Sequence, residues 1–392
     1  MQKKLFYKLW LVRLLYIISV RVILYLMLFD LMEHNKNLSL LSWIGVFINC
    51  VLVVSTFFTY KWLDRFSLRH LFFSVMISQV ILLLFLMFMN EGMSLFAILI
   101  AFTFLFVLTV LEVSVFDKSI RTMLPKKDRV HGISLGLVSN SSTYIVPPLV
   151  AGMLSKTEIG SVFLCTMILG IFFMLTINGI KSSTKIISTV KIKFNDFIYL
   201  ESQSTFLLVL QILLSFSLTT IWMNFAGLLA LPLVKASHSQ FFVGLMISLG
   251  GVGALAGSLS LSRIGFLKSN CTTLLHCFYG TLVCIILFLF FTENSFICLG
   301  ASFMGGVFSY WLYGLAQKIS QEHFSPKILA GFYAIRALFS AFLLIIFYLI
   351  NLYFSTNIVA LVWTVSGYFT VYTIIYLIVF FNTPDAVKQN YH

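Results

Sequence analysis

At 392 residues, with 60% hydrophobic and only 10% charged side chains, the chain cannot clothe itself in a water-facing surface, which normally takes about a quarter charged residues. A mean hydropathy of +1.01 and 42 Phe make lipid the solvent. The net charge of +13 does not indicate nucleic acid, because the basic residues sit in short loops between apolar runs.

About 20 apolar residues carry a helix across a bilayer. The sequence places twelve such runs, at 10–31, 38–60, 71–90, 94–116, 130–154, 160–180, 204–233, 240–261, 272–292, 296–316, 328–351 and 356–381. The expected fold class is therefore all-α integral membrane, with 12 transmembrane helices in two six-helix halves. Residues 1–180 form the first half, 181–203 a polar cytoplasmic linker, and 204–392 the second half. Two such halves are the plan of a large class of secondary transporters.

With both termini cytoplasmic, the inner connectors hold twenty Lys and Arg and the outer ones three, Lys36, Lys156 and Lys235. That asymmetry fixes the orientation in a cell inner (cytoplasmic) membrane. No small-residue cleavage site follows the first apolar run, so it reads as a helix and not as a removed leader.

Six Cys (50, 165, 271, 277, 284 and 298) lie mostly in apolar runs, without CxxC or His at metal-ligand spacing. They read as small hydrophobes, and no metal or other cofactor is expected. No HExxH, GxSxG or Walker loop occurs, which argues against an enzyme and against ATP-driven transport.

Charge inside a span is expensive, and usually faces a cavity or a partner. Arg21 lies about eleven residues into the first run, roughly 16 Å deep, and Arg336 about eight residues into the eleventh, roughly 12 Å. Glu112 falls about one turn above the inner end of the fourth run, and Asp30 near the outer end of the first. A carboxyl whose environment alternates between apolar surroundings and an Arg can load and release a proton. Glu112 is the first candidate for that role and Asp30 the second. Each has an alternative reading: Glu112 as an inner-gate salt bridge with Arg13 or Arg121, Asp30 as an interfacial charge, and Arg21 as a structural pair with a neighbouring helix carbonyl or carboxylate.

Asn140, Trp222, Asn224, Tyr310 and Tyr313 join Arg21 and Arg336 as candidate substrate-binding residues. Each could equally be a helix–helix contact or core packing. Gly250, Gly251, Gly253 and Gly257 on the eighth run, with Gly305-Gly306 on the tenth, allow either close packing or sliding.

The second-to-third connector reads YKWLDRFSLR and the eighth-to-ninth SLSLSRIGFLK, placing Arg65 and Arg263 at matching points of the two halves. With Asp64-Arg65 and Arg69, the first of these resembles the signature loop of the major facilitator superfamily, with Tyr60 and Ser67 in place of its glycines. Phe116, Arg121, Leu124, Pro125 and Arg129, followed by Pro148 and Gly152, resemble the fourth and fifth helices of its drug- and siderophore-exporting branch. That branch includes macrolide efflux proteins and the enterobactin exporter. Pro147-Pro148 stands where the branch has Gly-Pro.

The resemblance implies that helices one, four, seven and ten line a central cavity, flanked by five and eleven. Independently of the resemblance, the charges of this loop read either as a cytoplasmic latch or as ordinary topogenic charge, and an Asp, unnecessary for topology, favours the latch. Asp64 would face the positive end of the helix starting near Lys327, while Arg65 and Arg69 meet carboxylates or lipid phosphate. Arg121 and Arg263 are further gating charges. The expected function is a proton-coupled antiporter exporting an anionic siderophore or amphipathic drug-like compound. Proton-coupled import of a ferric siderophore or organic anion is the alternative. The expected partners are a small-molecule substrate, protons and membrane lipid, with no nucleic acid, and the default assembly is a monomer.

Overall fold

The computed structural model describes residues 2–34, 42–54, 66–88, 95–125, 128–154, 159–180, 203–224, 238–263, 271–323, 326–354 and 358–383. In chain order the described helices are α1 (Gln2–His34), α2 (Ser42–Val54), α3 (Leu68–Phe88), α4 (Leu95–Met123), α5 (Arg129–Met153) and α6 (Ile159–Asn178). After the central linker come α7 (Gln203–Asn224), α8 (Gln240–Arg263), α9 (Cys271–Phe290), α10 (Ser295–His323), α11 (Pro326–Phe354) and α12 (Ile358–Asn382). Nine of these are long and apolar enough, within the described residues, to cross a membrane.

The outward faces show which solvent the helices are built for. On α6, Leu164, Ile168, Ile171, Phe172 and Leu175 are all exposed, while Thr166 and Thr176 are buried. The hydroxyls of both threonines donate to carbonyls of their own helix four residues back, at 2.7 and 2.8 Å. An apolar stripe outside and self-satisfied polar groups inside suit hydrocarbon surroundings, where no water can complete a hydrogen bond.

Helix ends do not coincide with hydropathy ends. The first helix includes Lys3, Lys4 and Lys8, and α4 continues through Asp117, Lys118 and Arg121 to Met123. Glu112 therefore sits eleven residues before the end of α4, roughly 16 Å along its axis, and not one turn from it. Backbone hydrogen bonding does not stop where side chains become polar, so a hydropathy window shortens such helices. At the far end of α9 a tight turn leads to Asn294, whose side-chain oxygen accepts the N–H groups of Phe296 and Ile297 at 3.1 and 3.2 Å and caps α10.

The helices gather into two compact units, Met1–Asn35 with Val51–Thr189, and Lys36–Cys50 with Val190–His392. In the first unit α1 packs along α6 and α5, and α3 along α4 and α6. Gly170 of α6 lies against Tyr16 of α1 and Val80 and Met76 of α3, which fixes a three-helix crossing.

In the second unit α10 is the central helix, packed along α8, α9 and α7. It meets α8 backbone to backbone. A Cβ at Gly253 would strike the Phe303 carbonyl, one at Gly257 the Val307 carbonyl, and one at Gly306 the Gly250 carbonyl. The Ser302 hydroxyl donates to the Met246 carbonyl at 2.7 Å, and Trp311 Nε1 to Ser260 Oγ at 2.8 Å. The glycines are thus used for close packing. Gly45 of α2, grouped with this unit, faces the ring of Tyr348 on α11.

Candidate functional site

Among the described residues, each unit holds a guanidinium set within its helices. In the first, Arg13 of α1 meets Glu112 of α4 through both arms of its fork, Nε to Oε1 at 2.5 Å and Nη2 to Oε2 at 3.1 Å. Both side chains are 0% exposed. Bidentate geometry gives a charge-assisted pair its strength and direction. The guanidinium carbon also lies 4.0 Å from the centroid of the Phe116 ring, one turn further along α4 from Glu112. Phe116 is stacked on Phe6 at 5.6 Å and backed by Gly136 of α5.

The residues around this pair tie α1 to α5. Trp10 Nε1 donates to the Leu135 carbonyl at 3.0 Å and to Ser139 Oγ at 2.8 Å. Leu124 closes on Gly132 where α4 turns into α5. Phe116, Leu124 and the small residues opposite them thus have a physical reason for their spacing. Of these, Phe116 is the one on which the buried cation rests.

In the second unit, Arg336 of α11 is half-buried, its guanidinium 4.5 Å from the ring centroid of Phe216 on α7 and 5.3 Å from that of Tyr313 on α10. Its Nη1 donates to Tyr313 Oη at 3.2 Å. Phe216 and Tyr313 meet edge to face at 5.0 Å, and Tyr310 lies 6.3 Å from Tyr313. Stitches of hydroxyl groups hold the three helices in register: Thr219 to the Ser309 carbonyl at 3.0 Å, and Ser217 with Ser340 at 3.0 Å. The result is a planar cation set among aromatic faces, suited to a flat or carboxylate-bearing ligand.

The other sequence-derived candidates distribute as follows. Trp222 is 1% exposed, its ring filling the space a Cβ at Gly305 would need, so its surface is taken up by the packing of α7 on α10. Asn224 is half-buried and donates to the Thr220 carbonyl of its own helix at 2.8 Å. Arg21 lies half-buried on α1, nineteen residues from its start. Arg69 is exposed and donates to the Asn178 side-chain oxygen at 2.9 Å, pinning α3 to the end of α6 through a neutral amide. Asp64 and Arg65 lie outside the described residues, and so do the side chains of Asp30, Arg121, Asn140 and Arg263, whose backbones are helical.

Two residues of these clusters escape sequence reading. Phe216 is one of 42 Phe and carries no local mark. Tyr16 sits between Arg13 and Arg21 on a helix rich in aromatics, and only burial next to Glu112 distinguishes it.

A family model of the Major Facilitator Superfamily matches residues 9–326. The chain belongs to the major facilitator superfamily. As a superfamily member it is a multi-pass membrane transporter and not an enzyme. Solved superfamily structures share its fold over nearly their whole length. A bacterial homologue of the iron transporter ferroportin, in an inward-facing state, superposes with a TM-score of 0.73 at 16% identity, covering 97% of this chain and 98% of that one. A bacterial homologue of the human lysosomal transporter Spinster gives 0.70 at 13% identity, covering 100% and 98%. A D-xylose–proton symporter gives 0.66 at 12%, covering 98% and 99%. No curated protein matches the sequence. At such identities the likeness is one of fold, and the residues of the two clusters must speak for themselves.

Proposed function

We propose that this transporter is a proton-coupled antiporter that exports an anionic, amphipathic compound across the inner membrane, a carboxylate siderophore or a drug-like molecule of similar chemistry. The observation that carries the reading is Arg336 seated on Phe216 and Tyr313. A planar guanidinium among rings favours a ligand that combines a carboxylate with apolar or aromatic surface. The helices of the second unit favour an anion more generally, since their sequences contain a single acidic residue, Glu322, about 13 Å along α10 from Tyr313. Outward transport is supported by the likeness of Phe116, Arg121, Leu124, Pro125 and Arg129 to the exporting branch. Glu112 is the coupling carboxylate in this reading. A proton on it cancels the charge that holds Arg13, so loading the proton releases α1 from α4. Asp30 is the second carboxylate available for coupling.

The test is transport of a siderophore panel into everted membrane vesicles under an imposed pH gradient. Accumulation of anionic siderophores is expected, falling at least tenfold in Arg336→Ala and becoming independent of the gradient in Glu112→Gln. Accumulation in right-side-out vesicles and none in everted ones would reverse the direction to import. Equal transport of cations by wild type and Arg336→Ala would remove the anionic substrate from the proposal.

A further inference from the structure

One stripe of α1 changes character part-way along the helix. Lys4, Lys8, Leu11 and Leu15 follow one another at spacings of three and four residues and so share a face. All four are exposed, Leu11 and Leu15 by 50% and 47%. The stripe continues through Val22, Leu26 and Phe29, and there the exposure falls to 5% or less. The change comes between Leu15 and Val22, about 10 Å of helix axis.

Helices turned toward hydrocarbon behave otherwise. Exposed apolar side chains on α6 extend from Leu164 to Leu175, and on α12 from Val359 to Phe381, nearly the whole of that helix. A bilayer covers both halves of a spanning helix alike. The α1 stripe is open in one half only, and that half carries the lysines.

Charge at the open end is one-sided. The acidic residues of α1, Asp30 and Glu33, stand at its opposite end. Among the described side chains of the first unit, the carboxylates are Glu112, paired with Arg13, and Asp128, bound by Lys3 at 2.9 Å. Lys4 and Lys8 share their stretch of the stripe with two leucines and no acid.

We propose that this stripe lines a water-filled entrance, open at the end of α1 that the basic loops place in the cytoplasm and ending between Leu15 and Val22, and that Lys4 and Lys8 gather amphipathic anions into it. The proposal rests on the reading given above, export of an anion from the cytoplasm. The ammonium groups take the carboxylate, and Leu11 and Leu15 take the apolar part of the ligand. Exposed apolar surface rimmed by charge is the usual make-up of a groove for such a compound. Charges of one sign at a low-dielectric mouth concentrate counter-ions there and speed their entry. Lys4 and Lys8 are therefore capture residues, acting on entry.

The experiment is thiol labelling in everted membrane vesicles, which present the cytoplasmic side. The full-length protein carries Leu11→Cys, Leu15→Cys or Val22→Cys, and wild type supplies the background from its own cysteines. The probes are the anionic sulfonatoethyl and cationic trimethylammonioethyl methanethiosulfonates, which react with thiols in water and not in hydrocarbon. Leu11→Cys and Leu15→Cys are expected to react with the anionic probe at least tenfold faster than Val22→Cys. At about 0.01 M ionic strength, where the screening length is about 30 Å, Lys4→Gln with Lys8→Gln should lower the anionic-to-cationic rate ratio at Leu15→Cys at least threefold. Lys8→Glu alone should lower it in the same direction, which provides the test should the double variant express poorly. Salt at about 1 M should abolish the difference.

Leu11→Cys and Leu15→Cys reacting no faster than Val22→Cys would overturn the entrance. A rate ratio indifferent to both lysine changes would overturn the capture role. Labelling needs neither a pH gradient nor a transported substrate, so it fails separately from the antiporter. If a gradient drives anion export while the lysines leave the ratio unchanged, capture falls and the antiporter stands. If the lysines steer the probes but no gradient drives transport, the entrance stands and the coupling falls.

Discussion

The two units confront the same difficulty, a guanidinium held within lipid-embedded helices, and answer it differently. The first surrounds Arg13 with a counter-charge and a ring at complete burial. The second sets Arg336 on two aromatic rings and a phenol and leaves it half-buried. The first arrangement fixes helices to each other; the second, in the function proposed above, presents a cation to the substrate. A buried pair is held by the penalty for breaking it, because losing one partner strands the other in a medium that cannot solvate it. A cation on aromatic faces is held by weaker attraction, of order 1–2 kcal/mol. Position within the helices does not separate the two sites, since both cations lie at least ten residues from the start of their helices.

The contrast can be broken most directly at the ion pair. Arg13→Ala or Glu112→Ala alone should cost about 3–5 kcal/mol in detergent unfolding, whereas replacing both by Met and Leu should recover most of that loss. If the double replacement is as unstable as either single one, the pair is not the source of the first unit's stability. The second unit is held elsewhere, along the α8–α10 seam, so Gly306→Val should cost about 1–3 kcal/mol through overpacking against Gly250 and Ala254. A tolerated valine there would mean the seam yields, and the two units would differ less than their packing says. Smaller still, Arg336→Met should change unfolding by no more than about 1–2 kcal/mol, while its effect on anion transport is large. A stability loss equal to that of Arg13→Ala would make Arg336 a structural residue and erase the comparison. Last, Asn294→Ala should cost about 1 kcal/mol by uncapping α10, without altering either cluster.

Much of this is legible in the sequence. Apolar runs of membrane length and the bias of basic residues place the helices, because both follow from bilayer thickness and charge alone. The deep Arg21, Glu112 and Arg336 stand out for the same reason: charge is rare there. What hydropathy does not supply is the helix ends. Asp117 and Lys118 of α4 mark the membrane boundary in composition, yet the helix runs on to Met123. Nor does it choose the partner of Glu112. Arg13 is 99 residues away in the chain, and only the packing of α1 on α4 brings it there. Tyr310, Tyr313 and Trp222 look alike as aromatic residues near a helix middle. Packing separates them, since Gly305 opens a socket for Trp222 while Tyr313 meets Phe216 and Arg336.

The seam between α8 and α10 has a mechanical consequence. Carbonyls pressed against glycine backbone at three successive levels leave no lubricating layer of side chains between the helices. Two rods in that kind of contact bend as one beam. Tyr310 and Tyr313 ride on that beam, so any force applied to them is delivered to both helices together. The stiffness of the surface around Tyr310 and Tyr313 is thus set by the glycines of the seam behind it.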